Sequence, residues 1–424
     1  MTAFSNAGPN AGPNAGLDSV DGSGMDSAYA WLRLAAAVLL STLGGVGMWS
    51  VVVTLPAAQV QFAVDRGAAS LPFTLTMIGF AAGGVLMGRL ADRFGVVIPV
   101  VAGTLMIGLG YIAAGYSTTL WQYALAQGVL VAFFGCSATF GPLMADTSMW
   151  FTRRRGIAVS ICASGNYLAG TVWPPIVQHF VQSVGWRQTH VGIGIFCVAT
   201  MLPLALMLRR KTPALASGAG TFIARDGQGG LGLAPNTLMA LLVVAGIACC
   251  VAMSMPQVHI VAYCGDLGYG VARGAEMLSL MLGFGIISRL ASGLIADKIG
   301  GLRTLMLGSV LQGSALLLYL MFNGLTSLYV ISALFGLFQG GIIPSYAMIV
   351  REYFPPREAG IRVGLVLMAT LMGMALGGWM SGVIFDLTGS YRAAFANGIG
   401  FNLLNGLIAF LLLRRRGRQV AAYA

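Results

Sequence analysis

The sequence predicts an all-α membrane protein with twelve transmembrane helices in two pseudo-symmetric bundles of six. The 424 residues are 57% hydrophobic and only 9% charged, whereas a water-soluble chain is about 25% charged. The chain therefore lacks the charges needed to cover a soluble surface. It also contains 60 glycines, and small residues let membrane helices approach one another closely.

Twelve apolar stretches are long enough to cross a hydrocarbon core, which takes about 20 residues of helix. Six lie in an N-terminal bundle over residues 31–208 and six in a C-terminal bundle over 236–413, and the polar stretch between them predicts a cytoplasmic linker over 209–235. The predicted spans are 31–56, 70–91, 96–115, 119–148, 156–184, 189–208, 236–262, 275–296, 303–322, 326–350, 361–386 and 393–413.

Both ends of the chain are predicted to lie outside these spans. Residues 1–30 repeat the letters AGPN and contain Asp18, Asp21 and Asp26, whereas a secretory signal begins with a basic region. We therefore expect a disordered cytoplasmic N-terminal tail ahead of an uncleaved first helix. At the other end we expect a basic cytoplasmic tail over residues 414–424.

The distribution of basic residues predicts the orientation. With both termini on one side, nineteen of the 24 lysines and arginines fall in segments on that side, four fall in loops on the other side, and Arg289 falls within a span. Cytoplasmic loops carry an excess of basic residues. We therefore expect a multi-pass protein of the cell inner (cytoplasmic) membrane with both termini in the cytoplasm. The short basic clusters do not indicate a nucleic-acid partner.

The two halves of the chain repeat one another. GRLADRFG at 88–95 corresponds to GLIADKIG at 293–300, and GWR at 185–187 corresponds to SYR at 390–392, with an offset of 205 residues in both cases. Pseudo-symmetric halves with a binding site between them near the bilayer midplane are the design of many secondary transporters. The repeat therefore indicates a duplicated transporter.

GRLADRFG resembles the signature loop between the second and third helices of the major facilitator superfamily, and the twelve spans and the repeat agree with the major facilitator fold. In this motif Gly88 permits close helix packing. Asp92 is able to cap a helix and to pair with a cation, and Arg93 is able to bind the opposing half of the molecule. Asp297 has the corresponding place in the second half. The resemblance implies that these four residues gate the conformational change.

Within that superfamily, WFTRRRGIAVSICASGN at 150–166 is similar to the fifth-helix signature of the monocarboxylate transporter and oxalate–formate exchanger group, and GGVGMW at 44–49 is a looser match. The resemblance implies transport of small carboxylates and places Arg289 at the group's eighth-helix arginine. Two features depart from the group. Thr370 lies near the place of a second cation in the oxalate exchangers, and Gly285 lies where mammalian-type members have an acid.

Arg289 is the strongest candidate for binding substrate. It lies eight residues before Asp297 at the helix end, or about 12 Å deep, near the middle of a core about 30 Å thick. A permanent charge at that depth costs at least about 3 kcal/mol on insertion scales, so it must face protein or water. The fork of guanidinium donors matches the two oxygens of a carboxylate.

A partner acid within the bundle is the alternative explanation of Arg289. Asp146 and Asp386 lie toward helix ends, and Glu276 lies toward the outer end of its helix. None is predicted at the depth of Arg289, so the sequence favours an anion site. One cation suits one carboxylate better than two.

Four further residues are predicted to contact substrate, and one is predicted to carry a proton. Gln339 and Asn166 are amides that need partners in lipid, and Phe140 lies where the resembled family often has a tyrosine. Trp49 either walls the cavity or packs elsewhere. His259 is the candidate for proton coupling because histidine titrates near neutral pH; a hydrogen-bonded packing role is the alternative.

These observations predict a secondary active transporter of small organic anions, foremost monocarboxylates, that works by alternating access with proton-coupled uptake. A carboxylate exchanger and an exporter of another small metabolite are alternatives, as is a sensor on the same fold. An enzyme is not predicted, because the sequence has no phosphate loop, metal cluster or nucleophile motif. We expect no cofactor, no metal and a monomer in the lipid bilayer, with the carboxylate substrate and a proton as its partners.

Overall fold

A computed structural model describes residues 26–210 and 231–423 of the chain. In these residues the regular structure is entirely helical. The first half contains α1 (Ala28–Gly44), α2 (Val46–Phe62), α3 (Arg66–Ala69), α4 (Leu71–Phe94), α5 (Val97–Gly115), α6 (Leu120–Leu125), α7 (Gly141–Trp150), α8 (Arg155–Val184) and α9 (Trp186–Met207). The second half contains α10 (Pro235–Asp266), α11 (Val271–Ile299), α12 (Gly301–Met321), α13 (Leu325–Gln339), α14 (Ile342–Tyr353), α15 (Pro356–Thr388) and α16 (Tyr391–Tyr423).

These helices make twelve passes through the bundle within the described residues, six in each half. Eleven of the passes are long and apolar enough to cross a membrane. The remaining pass, α8, is also long, with 30 residues, but Asn166, Gln178 and His179 make it more polar. The predicted all-α membrane fold is confirmed. Because twelve is even, both described ends lie on one face, here called the terminal face; the other is the far face.

Four passes are built from more than one helix. The break between α1 and α2 falls at Gly45, and the break between α13 and α14 falls at Gly340 and Gly341. The fourth pass contains a π-helical segment, Ala126–Gly135, between α6 and α7, and π-helical turns widen the helix and often mark functional sites. The second pass begins with the short α3, which contributes to the contact between the halves.

The ends of the two bundles differ in part from the predicted boundaries. Most of the predicted N-terminal tail and linker lies outside the described residues. α1 begins at Ala28, where the Ser27 hydroxyl accepts the Ala30 amide at 3.2 Å, so the last residues of the predicted tail are helical. α16 continues through the predicted C-terminal tail, and its Arg416 forms an ion pair with Glu352 at 3.2 Å.

Arg33, one of the nineteen basic residues counted on the cytoplasmic side, is buried in the N-terminal half. Its Nε and Nη2 atoms each lie 2.8 Å from an oxygen of Asp146 on α7. Nη1 donates to the Leu208 carbonyl at 3.0 Å, and the guanidinium carbon lies 4.7 Å from the Trp150 ring centroid. The bidentate acid pairing compensates the buried charge, so Arg33 is a structural cation of the N-terminal half.

Candidate functional site

Arg289 lies on α11 where this helix packs against α8 of the other half. Its guanidinium carbon is 4.3 Å from the centre of the Tyr167 ring on α8. The Nε atom is buried without a hydrogen-bond partner, and the guanidinium forms no hydrogen bond or ion pair with any residue that the structure describes. A cation over a ring face is attracted by the ring quadrupole, and this contact leaves the N–H donors available to a ligand.

The three acids considered as partners for Arg289 are all engaged elsewhere. Asp146 forms the buried ion pair described above. Asp386 accepts two backbone amides of α3. Glu276 pairs with Arg273 on its own helix at 3.1 Å. Among the described residues, no structural ion pair explains the charge of Arg289.

Gly285 makes room for the aromatic ring beside Arg289. It lies one turn before the arginine on α11, and a Cβ atom at this position would lie 2.5 Å from Cε1 and 2.7 Å from Cδ1 of Tyr167. These separations are too short for any side chain to be tolerated without movement of the ring. The ring thus fills the space beside the position where an acid stands in the resembled group. Tyr167 was not among the predicted site residues; the glycine at position 285 was the signal that could have indicated a large neighbour.

Phe140 and Asn166 are brought together at one small cavity in the N-terminal half, which Met48 and Phe80 also line. The Phe140 and Phe80 ring centroids are 5.8 Å apart. The Oδ1 atom of Asn166 is buried without a hydrogen-bond partner. The cavity therefore has aromatic and thioether walls and one unused acceptor. Since Asn166 directly precedes Tyr167, this cavity is adjacent along α8 to the Arg289 contact.

Trp49 packs against the same turn of α8. Its Nε1 atom donates to the Asn166 carbonyl oxygen at 3.2 Å, and a Cβ atom on Gly170 would lie 2.8 Å from its Cε2 atom. The indole is only 5% exposed. In this conformation Trp49 orients the turn that carries Asn166 and Tyr167.

Gln339 ends α13 close to the Arg289 turn. Neither amide atom of its fully buried side chain has a hydrogen-bond partner. The next residue, Gly340, packs on α11, because a Cβ atom there would lie 2.5 Å from the Gly285 carbonyl oxygen and 2.8 Å from the Ser288 Cβ atom. An unsatisfied buried amide costs about 1–3 kcal/mol. Gln339 is therefore a candidate for binding a polar ligand or water.

His259 lies apart from these residues, in a polar network at the far face. Its Nε2 atom is 2.8 Å from the Gly378 carbonyl oxygen and its Nδ1 atom is 2.9 Å from the Tyr391 hydroxyl. A carbonyl oxygen only accepts, so Nε2 carries the proton and Nδ1 accepts from Tyr391. The Tyr391 hydroxyl in turn accepts from Nη1 of Arg66 at 3.0 Å. Both ring nitrogens of His259 are thus occupied.

Arg66 joins the two halves at this face. Besides Tyr391, its guanidinium pairs with Asp266 of α10, with Nη2 3.2 Å from Oδ1. The Asp386 carboxylate of α15 accepts the backbone N–H of Arg66 at 2.9 Å and that of Gly67 at 2.6 Å. We call this set the far gate; it consists of Arg66, His259, Asp266, Asp386 and Tyr391.

At the terminal face, the predicted gating motif makes no ion pair between the halves among the described residues. Asp92, Arg93 and Asp297 are exposed and form no ion pair with a described residue. A Cβ atom on Gly88 would meet nothing within 4 Å. In this structure the far gate is therefore closed, and this motif is not latched to a described residue of the other half. The latching role of Arg93 stays a prediction for the opposite state.

Three comparisons place these features among known proteins. The model of the Major Facilitator Superfamily matches residues 37–327 and 266–422. The chain is 28% identical to monocarboxylate transporter 13 of Bos taurus over 351 residues, which cover 80% of this chain and 77% of that protein. It is 24% identical to the agnestins efflux protein AgnL12 of Paecilomyces divaricatus over 335 residues, covering 78% and 74%.

Solved structures show the same fold at low sequence identity. A bacterial homolog of the human lysosomal transporter Spinster, inward-facing and occupied, has a TM-score of 0.67 at 15% identity and covers 93% of this chain and 97% of its own. A structure of the nucleoside transporter NupG has a TM-score of 0.69 at 15% identity, with 91% and 99% covered.

Proposed function

This chain belongs to the Major Facilitator Superfamily of transporters, and on that premise we propose that it is a secondary active transporter of small monocarboxylates. The substrate anion binds Arg289 between the two halves. The halves then close alternately on the terminal face and on the far face. The resemblance to monocarboxylate transporter 13 supports the carboxylate class.

The observation that carries this proposal is the unpaired state of Arg289. A partly buried cation without an acid partner is costly, and an incoming carboxylate offers the two acceptors that the guanidinium lacks. Gln339 supplies unpartnered polar atoms on the neighbouring α13. Among the described residues no second cation lies with Arg289, which favours one carboxylate over two.

We further propose that a proton enters with the anion and acts at the far gate. Neutral His259 accepts a hydrogen bond from Tyr391; protonation turns Nδ1 into a donor and removes that acceptor. The charged groups of the far gate around His259 are Arg66, Asp266 and Asp386. A second positive charge beside Arg66 would weaken the closed gate, so protonation would favour opening at the far face.

The orientation follows from the basic residues. We propose that the terminal face is cytoplasmic, in the cell inner membrane, because this face carries most of the lysines and arginines. The far gate then closes the outer side, and protons and substrate arrive there during uptake. The protein acts as a monomer in this scheme, since the site lies between the halves of one chain.

Export of a small metabolite is the second candidate function. It is favoured by the similarity to the agnestins efflux protein, whose name assigns efflux to that relative. Export and uptake differ in the direction of coupling. Loading reconstituted vesicles with substrate and imposing the proton gradient in each direction separates the two.

The substrate class is tested with purified full-length protein and a panel of acetate, lactate, pyruvate, benzoate, oxalate and succinate. Binding is measured as a thermal shift, and uptake of each labelled acid is measured in proteoliposomes. The proposal expects monocarboxylates to stabilise and to be transported, with oxalate and succinate weaker. Transport of none of the monocarboxylates would contradict it. Uptake driven by a pH step without internal substrate indicates symport, whereas a strict need for internal substrate indicates exchange.

A further inference from the structure

The ring of Tyr167 contacts the guanidinium of Arg289, the cation of the proposed anion site. We propose that Tyr167 is a positioning residue of this site: its ring face holds the guanidinium of Arg289 at the contact between the two halves while the N–H donors stay free for the substrate. This inference rests on the proposed function. Arg289 lies on α11 of the C-terminal half, and Tyr167 lies on α8 of the N-terminal half. The inference therefore assigns a role at the anion site to a residue of the N-terminal half.

The ring is the anchor of the arginine in this structure. The guanidinium carbon lies 4.3 Å from the ring centre, and no hydrogen bond or ion pair with a described residue holds the guanidinium. An arginine side chain has several rotatable bonds and loses conformational freedom when it is fixed. A ring that fixes it before substrate arrives spares the substrate that cost, which is the general advantage of preorganisation.

The contact depends on the ring face and does not use the hydroxyl group. Tyr167 is 6% exposed, and its hydroxyl makes no hydrogen bond with the residues that the structure describes. Phenylalanine offers the same face to a cation. A leucine fills part of the volume and offers no quadrupole. The pair Tyr167→Phe and Tyr167→Leu therefore separates the proposed role from simple packing.

A substitution at Gly285 tests the same contact between Tyr167 and Arg289 independently. A Cβ atom at this position would overlap the ring edge, so Gly285→Ala displaces the ring without removing it. The contact between α8 and α11 continues toward the far face, where the Ser279 hydroxyl donates to the Thr171 carbonyl. This hydrogen bond joins the two helices one turn of α8 away from Tyr167. The Gly285→Ala variant is therefore expected to shift the ring while the two helices stay packed together.

The test compares KM and maximal rate for the panel acid that the wild-type protein takes up fastest, in proteoliposomes. We expect Tyr167→Leu and Gly285→Ala to raise KM roughly tenfold, the loss expected for a desolvated cation–π contact, with a smaller change in maximal rate. Tyr167→Phe is expected within about twofold of wild type, the spread ordinary for a variant that keeps the contact. Phe395→Leu removes a buried ring packed against Tyr319 and serves as the matched control, with KM unchanged.

An unchanged KM in Tyr167→Leu overturns the inference, as does an equal rise in Phe395→Leu. If Tyr167→Leu does not reach the membrane, the other two variants test the inference. A raised KM in Gly285→Ala together with a wild-type KM in Tyr167→Phe supports the role of the ring. Any other pattern contradicts it. The Arg289→Ala variant separates this inference from the proposed function. Loss of transport in Arg289→Ala with wild-type KM in Tyr167→Leu rejects only the role of the tyrosine.

Discussion

The Asp386 carboxylate on α15 accepts the backbone N–H of Gly67 on α3, with Oδ2 2.6 Å from the amide nitrogen. The two residues belong to different halves of the molecule. Asp65, the residue that precedes α3, makes no side-chain cap bond to this helix. An acid of the C-terminal half therefore caps a helix of the N-terminal half across the far face.

Asp386→Ala is expected to open the far face more often. The substitution removes charge-assisted hydrogen bonds worth about 1.5–3 kcal/mol, so the open population should rise roughly tenfold or more. Thr74, which bonds the Ala375 carbonyl across the halves at 3.1 Å, is replaced by cysteine as the reporter. Labelling of this introduced thiol by an impermeant maleimide measures the opening. The six native cysteines are buried, and the parent without the reporter gives the background.

The matched control for that prediction is Glu358→Ala, which removes an exposed acid that, among the described residues, pairs only with Arg362, one turn away on its own helix. It is expected to leave the labelling rate unchanged. Equal labelling in Asp386→Ala and in the parent would show that the cap does not hold the gate closed.

His259→Gln tests the proton step. Glutamine keeps one donor and one acceptor but does not titrate between pH 5 and 8. Uptake driven by an imposed pH step should be lost, while counterflow between equal internal and external substrate should persist. His179→Gln is the control, because His179 is exposed on α8. If uptake by His259→Gln still responds fully to the pH step, His259 does not carry the coupled proton.

Asp146→Ala is expected to destabilise the N-terminal half. The change leaves the charge of Arg33 buried at 3% exposure without its acid, and breaking a buried pair typically costs about 3–5 kcal/mol. Thermal unfolding in detergent measures the effect as a lower Tm. The double variant Arg33→Met with Asp146→Leu should recover most of the loss, since neither charge then remains.

The exposed pair of Arg273 and Glu276 supplies the comparison for this prediction. Both side chains are about half exposed, at 54% and 43%, and surface pairs contribute only about 0–1 kcal/mol. Arg273→Ala should therefore change Tm little. If Asp146→Ala were equally mild, the pairing of Arg33 with Asp146 would not be a structural requirement.

Much of the fold was predictable because lipid imposes simple rules on the chain. Every backbone polar group in the hydrocarbon core must be satisfied within the chain, so apolar length indicates nearly every pass. The described helices cover the predicted spans, although α16 continues beyond its predicted end. The breaks within passes follow from tertiary packing and were not predicted. Gly79 and Gly83, for example, let α4 approach the carbonyls of Gly128 and Phe133, next to the π-helical segment.

The site was predictable only in part. Arg289 could be selected as a candidate because a charge inside an apolar span is conspicuous by itself. The structure places two other candidates, Phe140 and Asn166, at one cavity; their contact with substrate stays a prediction. Tyr167 was missed because a tyrosine in a membrane helix carries no such signal. Arg66 and Asp266 are 200 residues apart in sequence, so their pairing, and with it the far gate that includes His259, depends on how the two halves meet.

The most direct test of the account is uptake by Arg289→Ala and Arg289→Lys of the monocarboxylate that the wild-type protein transports best. Both variants should reach the membrane and lose about a hundredfold or more in kcat/KM, because the paired donors that match a carboxylate are gone. Arg392→Ala, which removes an exposed cation at the far face, should transport normally. Wild-type uptake by Arg289→Ala would contradict the central claim that this unpaired cation binds the substrate.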